Sequence, residues 1–362
     1  MAFFLLLLLL IILNKMEFCG PGEFNSRYID KDTTTSINGI FVVLIVFSHY
    51  VQYMDNVSAV DIPYYLMRIH LRQLVVVPFL FYTGYGMMES LKRKGGGYIK
   101  ALPGKFFKLL FRFDAAVMLY WIVGTALGKT YRIKRILLTM IGLRSLGNSG
   151  WYIFDILALY LLMYIAFSID ERFSRRENRV LGAAALSVLV IGFVYLLMKI
   201  NMPTRYYNTL FAACVGCWYS LIRSKTDKII MKNDLIYYSV TALIIAAYVW
   251  LSIRPGIGHI EIYTLWVVAF IGLLITLTMK VSIGNGVLRF LGSHVFSIYI
   301  LQRIPMRLLN WVGFLDAHKY MALILVFALT IPFALAFEKG TDLIIDRFIS
   351  ITSTPKVGRS AS

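Results

Sequence analysis

The chain has 362 residues, of which 59% are hydrophobic and 15% charged, where soluble domains carry about 25% charged residues. This composition excludes an ordinary soluble domain and predicts an all-α, polytopic transmembrane bundle; long apolar runs rather than short alternating ones exclude an outer-membrane barrel. The formal net charge of +18 does not point to nucleic acid, because the basic residues cluster in short segments between apolar runs, the pattern of cytoplasmic loops.

The first segment is unusual. Ala2–Leu13 is almost pure Leu, Phe and Ile, too short to span unaided and without the basic start of a signal peptide. Met16 follows, then Gly20-Pro-Gly-Glu-Phe-Asn-Ser26, which reads as translated linker. Residues 1–26 are therefore expected to be a non-native leader, residues 27–345 the transmembrane domain and residues 346–362 a cytoplasmic tail.

Ten spans are predicted, at 36–54, 72–91, 106–128, 151–169, 180–198, 207–222, 234–252, 261–280, 292–312 and 320–338. Basic residues fall at alternate connections: Lys92, Arg93, Lys94, Lys100, Lys105 and Lys108; then Arg172, Arg175, Arg176 and Arg179; then Arg223, Lys225, Lys228 and Lys232. That alternation places both termini in the cytoplasm.

The first span, Ser36–Met54, is about 28 Å long as a helix, close to the roughly 30 Å of a bilayer's hydrocarbon. It carries His49 in its outer half. An ionisable group there costs roughly 3 kcal/mol, which makes it a functional-site candidate. Asn38 lies eleven residues earlier. Eleven steps of about 100° overshoot three turns by only about 20°, so Asn38 and His49 share a face about 16 Å apart in depth. Such a stripe predicts a lined cavity; the alternative is a lone histidine hydrogen-bonded inside the bundle.

The connection 129–150 breaks the charge pattern. It should lie outside, yet it holds Lys129, Arg132, Lys134, Arg135 and Arg144. Its spacing puts apolar and basic residues on opposite helix faces. Two readings stand: an interfacial amphipathic helix, or a basic platform for an anionic acceptor such as a lipid-linked or polymeric glycan. Cys214 and Cys217 form a C-x-x-C inside an apolar run without His or acidic neighbours. They read as small helix-packing residues, and no metal site is expected. No phosphate-loop or dinucleotide fingerprint is present. Gly95-Gly96-Gly97 is a flexible turn. His49 and Asp55 miss a His-x4-Asp signature by one residue and fall on different helix faces, and there is no serine nucleophile elbow.

Three stretches, in order, resemble the acyltransferase-3 family of integral membrane acyltransferases. Asn38-Gly-Ile-Phe-Val-Val-Leu-Ile-Val-Phe-Ser-His49 is similar to its first-helix motif. Val77-Pro-Phe-Leu-Phe-Tyr-Thr-Gly-Tyr-Gly86 is similar to its second helix, and Leu291-Gly-Ser-His-Val-Phe-Ser-Ile-Tyr-Ile-Leu-Gln302 to a late helix. The helix led by Trp151 is also similar to a mid-chain element. The resemblance implies transfer of an acyl group, commonly acetyl from acetyl-CoA, onto an exported or cell-envelope glycan, in a bacterial inner membrane. It makes His49 the catalytic residue, and imidazole suits this independently, as base or nucleophile near neutral pH. Three positions depart from the pattern. Asn38 stands where the family has a cation, Gln302 where it has a late-helix histidine, and Lys105-Phe-Phe-Lys108 with Arg112 for an Arg-x-x-Arg. Asn38 keeps a hydrogen-bond donor but no charge assistance.

From this reading Lys105, Lys108 and Arg112 are candidate contacts for the phosphates of acyl-CoA, or simply cytoplasmic topology charges. Arg72, with Arg68 and His70, is a candidate for an acidic sugar or the thioester oxygen, or a snorkelling cluster. Tyr82 and Tyr85 supply hydroxyl donors or pack. Asp155 orients His49 or pairs with an arginine. Tyr299 and Gln302 share a face of one helix and line the cavity, and Arg303 and Arg307 follow on that helix, buried or snorkelling outward past Pro305. Two other classes remain: a transporter or flippase for a lipid-linked sugar, which would show inverted repeats, and a non-catalytic member of the family. Membrane lipids, acyl-CoA and a hydroxyl acceptor are the expected partners.

Overall fold

The computed structural model describes residues 2–54, 58–173 and 179–352. Asp55, Arg175, Arg176 and the end of the predicted tail, 353–362, lie outside the described residues. Helices occupy nearly everything else, and local chemistry sets their ends. They are α1 Ala2–Leu13, α2 Lys31–Tyr50, α3 Ile62–Leu71, α4 Val77–Lys94, α5 Gly96–Ala126, α6 Ile133–Met140, α7 Trp151–Phe173, α8 Val180–Lys199, α9 Phe211–Ile230, α10 Asp234–Ile253, α11 Ile260–Lys280, α12 Gly286–Ser293, α13 Val295–Leu301, α14 Arg303–Trp311, α15 Phe314–Ala317 and α16 Lys319–Thr352. The N-terminus of α2 is capped by Asp30, whose Oδ1 accepts from Thr33 N at 2.9 Å. Asn233 and Asn285 cap α10 and α12 in the same way. Each cap satisfies an N–H that helix geometry leaves without a partner.

Seven stretches among the described residues are long and apolar enough to cross a membrane: Lys31–Tyr53, Ala59–Lys94, Trp151–Phe173, Val180–Lys199, Asp234–Ile253, Ile260–Lys280 and Lys319–Phe348. The sequence reading has ten spans. The helices predicted at 106–128 and 207–222 are present as α5 and α9, but α5 carries Lys105, Lys108, Arg112 and Asp114, and α9 carries Arg223, Lys225, Asp227 and Lys228. The single helix predicted at 292–312 is replaced by α12, α13 and α14. Pro305 explains the second break. It lacks an N–H and its ring crowds the carbonyl four residues back; beside that point the Tyr120 hydroxyl donates to Ile300 O at 2.8 Å.

Close backbone approach holds the bundle's centre. A Cβ built on Gly84 of α4 would fall 2.0 Å from Ala213 O of α9, and one on Gly216 of α9 would fall 2.1 Å from Phe81 O. Only glycine permits that contact, which is how apolar helices gain affinity where lipid and side chain are equally apolar. Cys217 Sγ donates to Gly84 O at 3.3 Å in the same seam, so the cysteine pair sits in helix packing. Gly39 of α2 and Gly292 of α12 interlock similarly, against Leu288 O and Thr35 O. α2 is consequently buried along most of its length, with Ile37, Val42, Ile45, Val46 and Phe47 in the core.

The two ends of the bundle differ. At the end that holds the N-terminus of α2, Arg223 Nη1 donates to Tyr85 OH at 2.9 Å. Tyr28 OH meets Tyr219 OH at 2.7 Å and donates to Asp227 at 2.6 Å. Arg179 pairs there with Asp170 and Glu171 at 2.8 and 2.9 Å. Beside this frame Glu17–Phe18 pairs antiparallel with Val281–Ser282, and Lys280 Nζ donates to Gly20 O and Glu23 O at 3.0 and 2.8 Å, while α1 reaches toward the other half of α2, its buried Phe4 ring 6.5 Å from that of Phe47. At the other end the C-terminal turn of α2 meets irregular backbone and the start of α14.

Burial pushes the Asp30 carboxyl up, but the Thr33 N–H and the Arg27 guanidinium together hold it below its ordinary value. Its cap therefore stabilises fully above the unfolded carboxyl's value of about 3.9 and weakens as pH falls through the folded one. Asp30→Ala is expected to cost about 1 kcal/mol at pH 7. Thermal melts of both proteins in detergent check this: the gap should be clear at pH 7 and narrow near pH 3.

Candidate functional site

A polar cavity of about 400 Å³ opens beside His49, with Arg72, Trp151, Tyr299 and Arg303 in its wall. The last turn of α2 brings in the imidazole. The opposite wall is the loop between α6 and α7, which contributes Arg144, Ser145, Gly147, Asn148, Ser149 and Gly150. Rich in Gly, Ser and Asn, this stretch has no helical periodicity to follow, and its own side chains shape it instead. Ser145 Oγ donates to Asn148 O at 2.6 Å and accepts from Gly147 N at 2.9 Å, while Asn148 Oδ1 accepts from Leu146 N at 3.1 Å. Outside groups then pin it: Arg135 donates twice to Ser145 O at 3.0 and 2.8 Å, Arg307 to Leu146 O at 2.7 Å and Tyr299 OH to Ser149 O at 2.8 Å. Gly147 has φ +111°, and a Cβ there would fall 2.5 Å from Arg307 Nη1.

The pinned loop holds Ser149 Oγ 3.3 Å from His49 Nε2. On the other side of the ring, His49 Nδ1 and Gln302 Oε1 are buried, and neither has a well-formed hydrogen bond. Gln302 is close enough to act on the imidazole through its side chain, and its Nε2 is already used on Tyr299 O at 3.0 Å. The amide therefore offers the ring an acceptor. A proton on Nδ1, turned toward that acceptor, leaves a free lone pair on Nε2 facing the cavity. A base needs that orientation.

Asn38 does not share this cavity. It lines a second one of about 390 Å³, with Thr34, Tyr82, Thr83, Tyr160 and Tyr299. The stripe predicted along α2 is thus divided, and Tyr299 lies in the wall of both halves. Its ring centroid lies 6.0 Å from that of His49 and 5.3 Å from that of Tyr152. A third cavity of about 580 Å³, lined by Lys129, Tyr131, Arg135, Arg307 and Trp311, shares Gly147 and Arg303 with the first.

Other residues expected at the site stand elsewhere. Tyr85 is held by Arg223 at the far end of the bundle. Lys108 pairs with Asp342 of α16 at 2.9 Å and Arg112 pairs with the same carboxylate; Lys105 lies over the Tyr98 ring at 4.3 Å. None of the three lines the cavities just described. Asp155 is fully buried with both oxygens unpartnered. It hydrogen-bonds neither His49 nor any described arginine, so the structure shows neither of the contacts expected of it, and it lies near Tyr152, Tyr206 and Tyr299. Arg68 and His70 sit on α3, outside the lining of the cavity. Arg144, expected in a basic segment outside the bundle, lines the cavity, and Arg205 and Ser149 line it too but escaped the sequence reading. The Gly-Ser-Asn run directly before Trp151 was the available signal for Ser149. Arg72 has φ +43°, a conformation that costs an L-residue energy and tends to persist at working sites.

A family model described as an acyltransferase domain matches residues 36–339, a span that runs from the first turns of α2 through most of α16 and takes in all the named lining residues of the three cavities except Thr34. No curated protein and no solved structure matches the chain significantly.

Gly147→Ala combines a disfavoured φ with a clash, and is expected to destabilise by roughly 1–3 kcal/mol, read as a lowered melting temperature. Gln302→Leu removes the acceptor at Nδ1. In protein labelled with ¹⁵N-histidine, the wild-type His49 signal should show the Nδ1–H tautomer, and the variant should lose that preference.

Proposed function

The chain belongs to the acyltransferase-3 family, and from that premise we propose that it transfers an acyl group, acetyl in the simplest case, from acyl-CoA to a hydroxyl of an exported or cell-envelope glycan. The observation that carries this reading is the pair of cavities meeting at Tyr299, with the imidazole lone pair of His49 on one side and the Asn38 chamber on the other. A thioester on an extended arm and an alcohol approach one another best from opposite sides. Two chambers in series provide that separation.

In the proposed step, His49 Nε2 takes the proton of the acceptor hydroxyl as its oxygen attacks the thioester carbonyl. The tetrahedral intermediate collapses, the C–S bond breaks, and the imidazolium returns its proton to the leaving thiolate. Gln302 stabilises the imidazolium through Nδ1–H, as carboxylates do in hydrolase triads but without their charge. Ser149 holds the ring's other edge until the acceptor hydroxyl displaces it. Asn38, half-buried with a buried, unpartnered Oδ1, offers its amide to the donor's arm, which also carries amides.

Donor entry fits the end of the bundle with Arg179, Arg223 and the basic C-terminus of α4, the side that the charge pattern assigns to the cytoplasm. Leu109, in the wall of the Asn38 chamber, is next to Lys108. The phosphates of acyl-CoA would compete there with Asp342 for Lys108 and Arg112, so Lys105 is the cation most available to them. The host membrane is then a bacterial inner membrane, with the acceptor on its outer side.

Purified protein incubated with radiolabelled acetyl-CoA tests the assignment. His49→Ala is expected to lower thioester consumption by about 100-fold or more, the usual worth of a general base, with the melting temperature little changed. Unchanged turnover would remove His49 from the chemistry. Passage of a labelled glycan across vesicles with no acyl-CoA present would make the protein a carrier.

A further inference from the structure

We propose that the third cavity binds an anionic substituent of the acceptor, so that the molecule modified is an acidic or phosphorylated saccharide. The word acceptor rests on the transfer reading above; the binding itself does not.

Charge is the first argument. Lys129, Arg135, Arg303 and Arg307 line this cavity, and Arg72, Arg144, Arg205 and Arg303 line the neighbouring one. Among the described residues no Asp or Glu lines either. None of these cations forms an ion pair among the described residues. Arg307 makes the point most sharply. It is only 8% exposed, yet its guanidinium bonds only neutral oxygens, Leu146 O at 2.7 Å and Tyr131 OH at 3.5 Å. A buried cation with no counter-charge is costly. An anion arriving from outside supplies the missing charge.

Geometry is the second argument. Arg135 is fixed by two bonds to Ser145 O and Arg307 by one to Leu146 O, so both forks are pre-set for a carboxylate or phosphate. Tyr53, Tyr131 and Trp311 supply aromatic faces suited to a sugar ring, and Leu127 and Leu146 are the only aliphatic side chains in the wall. That lining fits a saccharide better than a lipid tail. Continuity is the third. Gly147 and Arg303 belong to both cavities, so a saccharide with its hydroxyl at His49 extends past Arg303 into the cationic chamber.

The test is equilibrium binding to the full-length protein in zwitterionic nanodiscs without any acyl donor, so that its result is independent of catalysis. The probes are glucose, glucuronate, glucose 1-phosphate and inorganic phosphate, with wild type and the double charge reversal Lys129→Glu/Arg135→Glu, whose two residues are exposed. A conservative Arg307→Lys keeps charge and loses the fork. Glucuronate or glucose 1-phosphate should bind at least ten-fold tighter than glucose, whichever binds tighter identifying the anion. The double reversal should abolish this preference, and Arg307→Lys should weaken it several-fold. Equal binding of glucose, equal binding of inorganic phosphate alone, or an unaltered preference in the double reversal would each overturn the proposal. So would retention by phosphatidylglycerol vesicles with no preference among the soluble probes, which would make this a lipid-headgroup site.

Discussion

Irregular backbone inside an apolar bundle has to find its hydrogen-bond partners within the protein, because the surroundings provide none. The loop between α6 and α7 meets that demand with its own Ser145 and Asn148 and with side chains sent from three other elements, α6, α13 and α14. Everything distinctive about the site follows from it. The loop walls the first cavity, faces the imidazole with Ser149, and separates two basic chambers at a glycine that has no side chain to obstruct Arg307.

The same accounting explains the histidine. An imidazole buried at the end of α2 presents two nitrogens, and their surroundings differ: a serine hydroxyl 3.3 Å from Nε2 at the cavity edge and, behind, a buried Nδ1 without a formed hydrogen bond beside the equally unpartnered Gln302 Oε1. Gln302, at the position where the resemblance implies a late-helix histidine, keeps an acceptor and has no titratable group. The replacement at Asn38 is of another kind. It faces a separate chamber walled by apolar side chains and tyrosines, where a neutral amide avoids the expense of burying an unpaired cation.

The cations of the molecule sort into two populations with different partners. At the end of the bundle with the start of α2, arginines and lysines meet carboxylates: Arg179 with Asp170 and Glu171, Arg223 with Asp227, Lys108 and Arg112 with Asp342. Around the cavities they meet carbonyl oxygens, hydroxyls and aromatic rings instead. The first arrangement ties helices together. The second leaves positive potential directed at a space, and low-dielectric walls concentrate it there.

Helix positions, the membrane setting and the burial of an imidazole within the bundle were legible in the residues, because apolar run length, charge between runs and a histidine in an apolar stretch are all local signals. The broken ninth element was half legible, since Pro305 is visible and its consequence is general. What the residues could not convey was distance across the fold. Tyr85 and Asp155 look as suitable as Tyr299 along the chain, yet Tyr85 is drawn into a helix lock by Arg223, and Asp155 makes no hydrogen bond to the imidazole. Lys108 and Arg112 look free until α16, more than two hundred residues later, brings Asp342 to them. Local sequence thus determined which groups are buried in the membrane and which helices carry them. Only the packing of glycine seams and the loop before α7 decided which of those groups meet, because a side chain's partner is set by the helix beside it and not by the residues around it in the chain.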